Sequence, residues 1–239
     1  MEGNFIMKLV GKRGLGLLLA VLLAVLSPVN VSAADKGLAK APKAGWRYVK
    51  GYKLYYNKKG KLVKDVSGII GKQSSYVIKV NKKKNCVTVY AKDGKRGYII
   101  PVKAFVCSTG KATPITTAKT PSKYRWHALM GHCYGQWCTR IKNGYLFHSV
   151  MYGKKKNNTL SVSAYNKLGT TASHGCIRMR AGDAKWIYDN CKRKTKVIIY
   201  NSSNPGPLGK PKIEKLPKWH RWDPTDPTAK KLCRKRGCH

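Results

Sequence analysis

From residue 75 onward the chain carries apolar and polar residues in short alternating runs. "SYVIKVN" (75–81) and "CVTVYAKDG" (86–94) read as strands with a period of two. "KRGYIIPVKAFVCSTG" (95–110) predicts a longer apolar strand that ends in a Ser-Thr-Gly turn. "TRIKNGYLFHSVMY" (139–152) predicts two short strands around Asn143-Gly144, a pair suited to a tight hairpin. Periodicity near 3.6 appears in "GDAKWIYDNC" (182–191), where Ala184, Ile187, Tyr188 and Cys191 share one face. Asp183 is the expected N-cap of that helix. "KVIIY" (196–200) returns to strand. The pattern predicts a mostly β domain with one flanking helix over residues 75–201.

The flanks differ. Residues 45–65, "GWRYVKGYKLYYNKKGKLVKD", place aromatics and glycines in a rhythm that predicts a small β-hairpin. With the small, basic stretch before it, this defines a segment 34–74. Residues 202–239 are rich in Pro, Lys and Trp without a clear period, and predict an irregular tail lying on the domain, tied down through Cys233 or Cys238. At the front, Lys8, Lys12 and Arg13 precede an apolar run from Leu15 to Leu26. Val31-Ser32-Ala33 then offers small residues suited to cleavage. That order predicts a signal peptide, residues 1–33, and a secreted protein at a bacterial cell wall or surface. The run is shorter than the roughly 20 residues that span a bilayer, so membrane contact is expected only during export.

Charge changes the picture once export is assumed. The chain has 239 residues and a net charge of +40. In the cytosol such a charge points to nucleic acid. Outside the cell it points to anionic wall polymers or to a solvated surface, and nucleic acid drops out as an expected partner. Eight cysteines are compatible with disulfides after export. Cys133 and Cys138, and Cys233 and Cys238, are close enough in sequence for local bridges. Metal ligation with His132 or His239 fits the spacing poorly, so no metal and no cofactor are expected.

The densest chemistry lies in "SHGCIRM" (173–179). A cysteine reacts as its thiolate, and a histidine can take its proton. A glycine in the same turn lets the backbone approach a substrate carbonyl closely. His174 is only two residues from Cys176, a poor spacing for proton transfer. His148, at the end of an apolar strand, is the better placed base.

This pattern resembles the L,D-transpeptidase catalytic domain family, the YkuD-like fold. The resemblance rests on "SHGCIRM", the upstream His148-Ser149, the strands from 75, the "STGKATP" turn and the "DAKWIYDNC" helix. It implies a β-sandwich-like domain with a cleft beneath a flap. It also implies an exported enzyme that cross-links peptidoglycan stem peptides through a cysteine thioester, releasing D-Ala from a tetrapeptide. By the resemblance Cys176 is the nucleophile and His148 the base, oriented by the Ser149 carbonyl. His174 and Ser173 shape the donor site, Gly175 and Cys176 provide oxyanion N–H groups, and Arg178 supports the cleft. Two features depart from the common signature. Arg178 stands where the family usually has Asn, and 28 positions separate His148 from Cys176, which implies that "GKKKNNTLSVSAYNKLGTTA" (153–172) is an enlarged flap. The segment 45–65 also resembles one unit of the cell-wall-binding repeat. Two other readings compete: a non-catalytic wall-binding protein, which leaves the cysteine turn unexplained, and a sortase-like transpeptidase, which the His-Gly pair before Cys176 disfavours.

Overall fold

The computed structural model describes residues 44–237. The predicted signal peptide and basic linker, and Cys238 and His239, lie outside the described residues. In chain order the elements are β1 (Gly45–Val49), β2 (Tyr52–Tyr56), α1 (Ser67–Ile70), β3 (Tyr76–Asn81), β4 (Cys86–Ala91), β5 (Ile100–Ser108), β6 (Thr116–Lys119), β7 (Lys123–Leu129), β8 (Cys133–Lys142) and β9 (Tyr145–Ser149). They continue with α2 (Val162–Tyr165), β10 (Ile177–Met179), α3 (Ala181–Asn190), β11 (Lys196–Tyr200) and α4 (Lys230–Arg236).

Nine strands form one sheet in the order β6-β11-β3-β4-β5-β10-β9-β8-β7. The sheet curls, so that strands from both of its halves bury side chains in one core. Ile78, Val80, Val87 and Val89 come from one half, and Trp137, Ile141, Phe147 and Ile177 from the other. The helix α3 closes this core with Ala184 and Ile187, both fully buried. That apolar burial is the main stabilising term for the fold. The mostly β expectation with one principal flanking helix therefore holds, and the sandwich is one sheet folded over itself.

The short strand β10 joins the two halves. It runs antiparallel to β5 and parallel to β9. Its register pairs Arg178 with Ser108 on one side and with His148 on the other. Paired residues on neighbouring strands point to the same face, so Arg178 and His148 do too.

Three local expectations change. Asp183 is not the N-cap of α3. Arg180 holds that position, and Asp183 lies in the first turn, where it pairs with Arg180 at 2.6 Å. The helix's free N–H groups are capped instead from the tail: Ala181 donates to the Asp223 carboxylate (2.6 Å) and Gly182 to the Thr225 hydroxyl (2.9 Å). The tail is irregular over residues 201–226, as expected, but then forms α4. Buried Asp223 and Asp226 hold it to the domain, and the Trp222 indole N–H donates to Cys233 Sγ within a small apolar cluster.

The aromatic hairpin β1–β2 is not a separate module. Trp46 and Tyr55 pack edge to face at 5.1 Å and rest against the main core. Lys53 N donates to the Ile99 carbonyl (3.0 Å), and Tyr52 lies 6.0 Å from Tyr90. Its rings are spent on packing and on Lys and Arg contacts, such as Arg96 over Tyr48. The resemblance to a cell-wall-binding repeat is not carried by the fold.

Candidate active site

The strand β9 ends at Ser149, with His148 facing into a cavity of about 710 Å³. The same cavity is lined by Ser173, His174, Gly175, Cys176 and Arg178. Every residue singled out in the "SHGCIRM" turn up to Arg178, apart from Ile177, thus meets His148 in one place. Ser149 is fully buried and acts through its backbone.

His148 is almost fully buried, and its Nδ1 lies 2.5 Å from the Ser149 carbonyl oxygen. A carbonyl only accepts, so Nδ1 carries the proton and Nε2 keeps its lone pair. Burial, together with the Arg178 charge, pushes the imidazole down to about 4, against the upward pull of the Ser149 bond. At neutral pH His148 is therefore an uncharged acceptor.

Cys176 is half-buried. Burial raises its thiol above the usual range, offset in part by the Leu146 N–H and by Arg178 and Arg140. Its Sγ–H points to the Gly144 carbonyl at 3.7 Å. The resting pair is thus a neutral thiol beside a neutral imidazole.

The turn that holds Cys176 is bonded from below. Ser173 Oγ donates to the Cys176 carbonyl (2.6 Å) and Thr113 Oγ1 to the Gly175 carbonyl (2.7 Å). Thr113 Oγ1 also accepts from Gly110 N at 2.8 Å. Two glycines are needed for contact reasons. A Cβ on Gly110 would meet the backbone N of Gly175 at 2.7 Å, and a Cβ on Gly175 would meet Tyr145 Cε1 at 2.6 Å. The Ser-Thr-Gly turn is therefore the bed of the nucleophile turn. The pattern of the sequence marked the turn but not this role.

Other supporting residues were not foreseen. Gly135 on β8 faces His148, and a Cβ there would lie 3.0 Å from both Cβ and Nδ1 of the imidazole side chain. Gln136 N donates to Ser149 Oγ (2.9 Å), which fixes the residue whose carbonyl orients His148. The Gln136 amide in turn donates to Tyr152 Oη (2.9 Å) and to Asp226 Oδ2 (2.5 Å), while its oxygen accepts from Arg125 (2.8 Å). A continuous polar chain thus runs from the tail to the histidine.

The expected flap is elsewhere. Residues 153–172 contribute Leu160, Ala164, Tyr165 and Leu168 to a packed secondary core and line no part of the cavity. The apolar wall comes from the β7–β8 hairpin, through Leu129, Met130 and Cys133. Strand β7 was not expected from sequence. Cys133 lines the cavity, while Cys138 is fully buried close by and pushed up to about 12 by that burial. Both are free thiols rather than a bridge, as are Cys86, Cys107, Cys176 and Cys191. Among the described residues no three His, Cys, Asp or Glu side chains converge as metal ligands. No described helix is long and apolar enough to cross a membrane.

A curled sheet that delivers a histidine and a His-Gly-Cys turn to one cavity defines a cysteine-centred acyl-transfer site. The sequence model of the L,D-transpeptidase catalytic domain (YkuD) matches residues 75–199, and the chain belongs to this family. It is 36% identical over 134 residues to YciB of Bacillus subtilis (strain 168), whose name assigns it provisionally to the L,D-transpeptidases. That match covers 54% of this chain and 67% of the relative. Among solved structures, an L,D-transpeptidase from Mycobacterium smegmatis aligns with a TM-score of 0.42 and 19% identity, over 53% of this chain and 58% of that one. A fused Zn-dependent amidase/peptidase and peptidoglycan-binding protein from Clostridium acetobutylicum ATCC 824 aligns at 0.41 and 24%, over 53% and 52%. The chain thus spans between half and three fifths of these two structures.

Proposed function

We propose that this protein is an exported L,D-transpeptidase that remodels peptidoglycan by acyl transfer through Cys176. The observation that carries the reading is the meeting of Cys176 and His148 in one cavity, with the imidazole tautomer set by the Ser149 carbonyl.

In the first half-reaction His148 Nε2 accepts the Cys176 thiol proton as Sγ attacks the carbonyl of the third residue of a tetrapeptide stem. The carbon–sulfur bond forms, and the backbone N–H groups of Gly175 and Cys176 receive the developing oxyanion. His148 then gives its proton to the amine of D-Ala as the carbon–nitrogen bond breaks. A thioester remains. In the second half-reaction an amine of another stem attacks the thioester, its proton passes through His148, and Cys176 leaves as the thiol. Ser173 and His174 border the donor position. The positive charge of the chain favours an acidic wall environment through long-range attraction.

The test is incubation of the folded chain with tetrapeptide-bearing muropeptides. Intact-mass spectrometry should show a tripeptide adduct on Cys176 with loss of D-Ala, and product analysis should show new cross-links. Absence of the adduct on folded protein with a reactive Cys176 would remove the proposal.

A further inference from the structure

The cavity contains a cation that nothing in the described protein neutralises. Arg178 is only 7% exposed and lines the cavity, and its Nε has no hydrogen-bond partner. None of the ion pairs among the described residues includes it. The residues that line the cavity include no Asp or Glu. The groups that sense its charge are His148 on β9, Cys133 on β8 and Cys176 on its own turn, none of them acidic. Arg140 on β8 adds a second positive charge toward Cys176, and His127 on β7 faces His148. Burying an arginine without a partner is costly, because its guanidinium stays charged. A planar fork of donors aimed into a cavity matches a carboxylate.

We propose that Arg178 receives the free carboxylate of the residue that leaves from the donor stem, so that the site selects donors whose scissile bond is the last in the chain. This inference rests on the transpeptidase reading above. The scale of the site supports it. Cys176 and Arg178 are two residues apart on one strand edge, roughly 6–7 Å. In a donor, the terminal carboxylate follows the attacked carbonyl by one residue, about 3.8 Å on. An arginine side chain spans the difference. Pairing also changes the proton step. Arg178 opposes a positive charge on His148, and a bound carboxylate offsets that opposition, so the imidazole accepts the thiol proton more readily when the right donor is in place. A donor extended by one residue, or amidated at its end, leaves the guanidinium buried without a counter-charge.

The experiment compares three donors that share a diaminopimelate-containing stem: the tetrapeptide acid, its C-terminal amide, and the pentapeptide. Thioester formation on Cys176 is followed in single turnovers by intact mass, with wild type, Arg178→Gln and Arg178→Lys. Wild type should acylate with the acid roughly 10²–10³-fold faster than with the amide, the usual scale for stranding one partner of a buried charge pair. Arg178→Gln should lose most of that preference by slowing on the acid while changing little on the amide. Arg178→Lys, with charge but no fork, should fall between. Equal wild-type rates on acid and amide overturn the inference, and this comparison needs no variant to fold. Equal slowing of both donors by Arg178→Gln also overturns it, since that marks a structural role. If no donor forms a thioester, the transpeptidase reading fails first and this inference falls with it.

Discussion

Gly135→Ala tests whether the position of His148, and not just its presence, governs the chemistry. The added Cβ would sit 3.0 Å from His148 Cβ and Nδ1. Ordinary carbon contacts lie near 3.5–4.0 Å, so the imidazole or the β8 backbone must give by roughly 0.5–1 Å. The ring has little freedom to do so, because Nδ1 is bonded to the Ser149 carbonyl at 2.5 Å and Ser149 Oγ is held by Gln136 N. Overpacking of this kind costs about 1–3 kcal/mol of stability, which a folded domain tolerates. A displacement near 1 Å at a reacting group, by contrast, costs about 10² in rate. The expected outcome is a folded protein whose melting temperature drops by a few degrees, whose Cys176 still reacts with iodoacetamide, and whose acylation by the tetrapeptide falls about 100-fold. Circular dichroism, alkylation kinetics and intact-mass acylation measure the three effects on one preparation. Acylation at the wild-type rate in a Gly135→Ala preparation of verified mass would refute the reasoning, because it would show that His148 tolerates displacement or is not the base.

Cys176→Ala should abolish thioester formation, and Cys176→Ser should nearly do so, since a hydroxyl is far less acidic than a thiol. His148→Ala should slow acylation by roughly 10²–10⁴-fold, and the double variant should be no worse than Cys176→Ala alone; a dead His174→Ala beside an active His148→Ala would move the base to His174. With the thiol raised by burial and His148 down at about 4, the thiolate is a minor species at neutral pH. Alkylation of Cys176 in the free enzyme should therefore climb about tenfold per pH unit from 6.5 to 8.5, and a plateau already reached at pH 6 would instead indicate a preformed ion pair. Asp223, fully buried at the N-terminus of α3, is pushed up by that burial to about 6 from an ordinary 3.8. Its folded-state pKa is raised, so its contribution is fully present below about 4 and declines as pH rises through 6. Melting curves of wild type minus Asp223→Asn should thus become less favourable to wild type between pH 4 and 7, and a difference independent of pH would contradict this.

The parts of the site written in consecutive residues were legible in the sequence; the parts assembled by packing were not. "SHGC" announces itself because a nucleophile and a pliant glycine must be adjacent to act together. His148 was legible because β9 is buried on both faces and its apolar run stops at the histidine. Strand β7 was not, because it is the sheet's edge and stays partly wet on both faces, so "KYRWHAL" has no period of two. The tail helix α4 was missed for a similar reason: of "KKLCRKR" only Cys233 is buried, which leaves no apolar stripe. Gly110 and Gly135 carry no local mark at all, since what they accommodate arrives from Ser173–Gly175 and from His148. Asp183 misled because its spacing suits a cap, while the true caps, Asp223 and Thr225, come from some forty residues downstream. These misses share a direction. From Asp226 through Gln136 to Ser149, and from Asp223 to α3, each unforeseen residue supports the strand or helix that carries or backs the site. The tail is therefore part of the scaffold that holds His148 in place, and its removal should disturb proton transfer as well as stability.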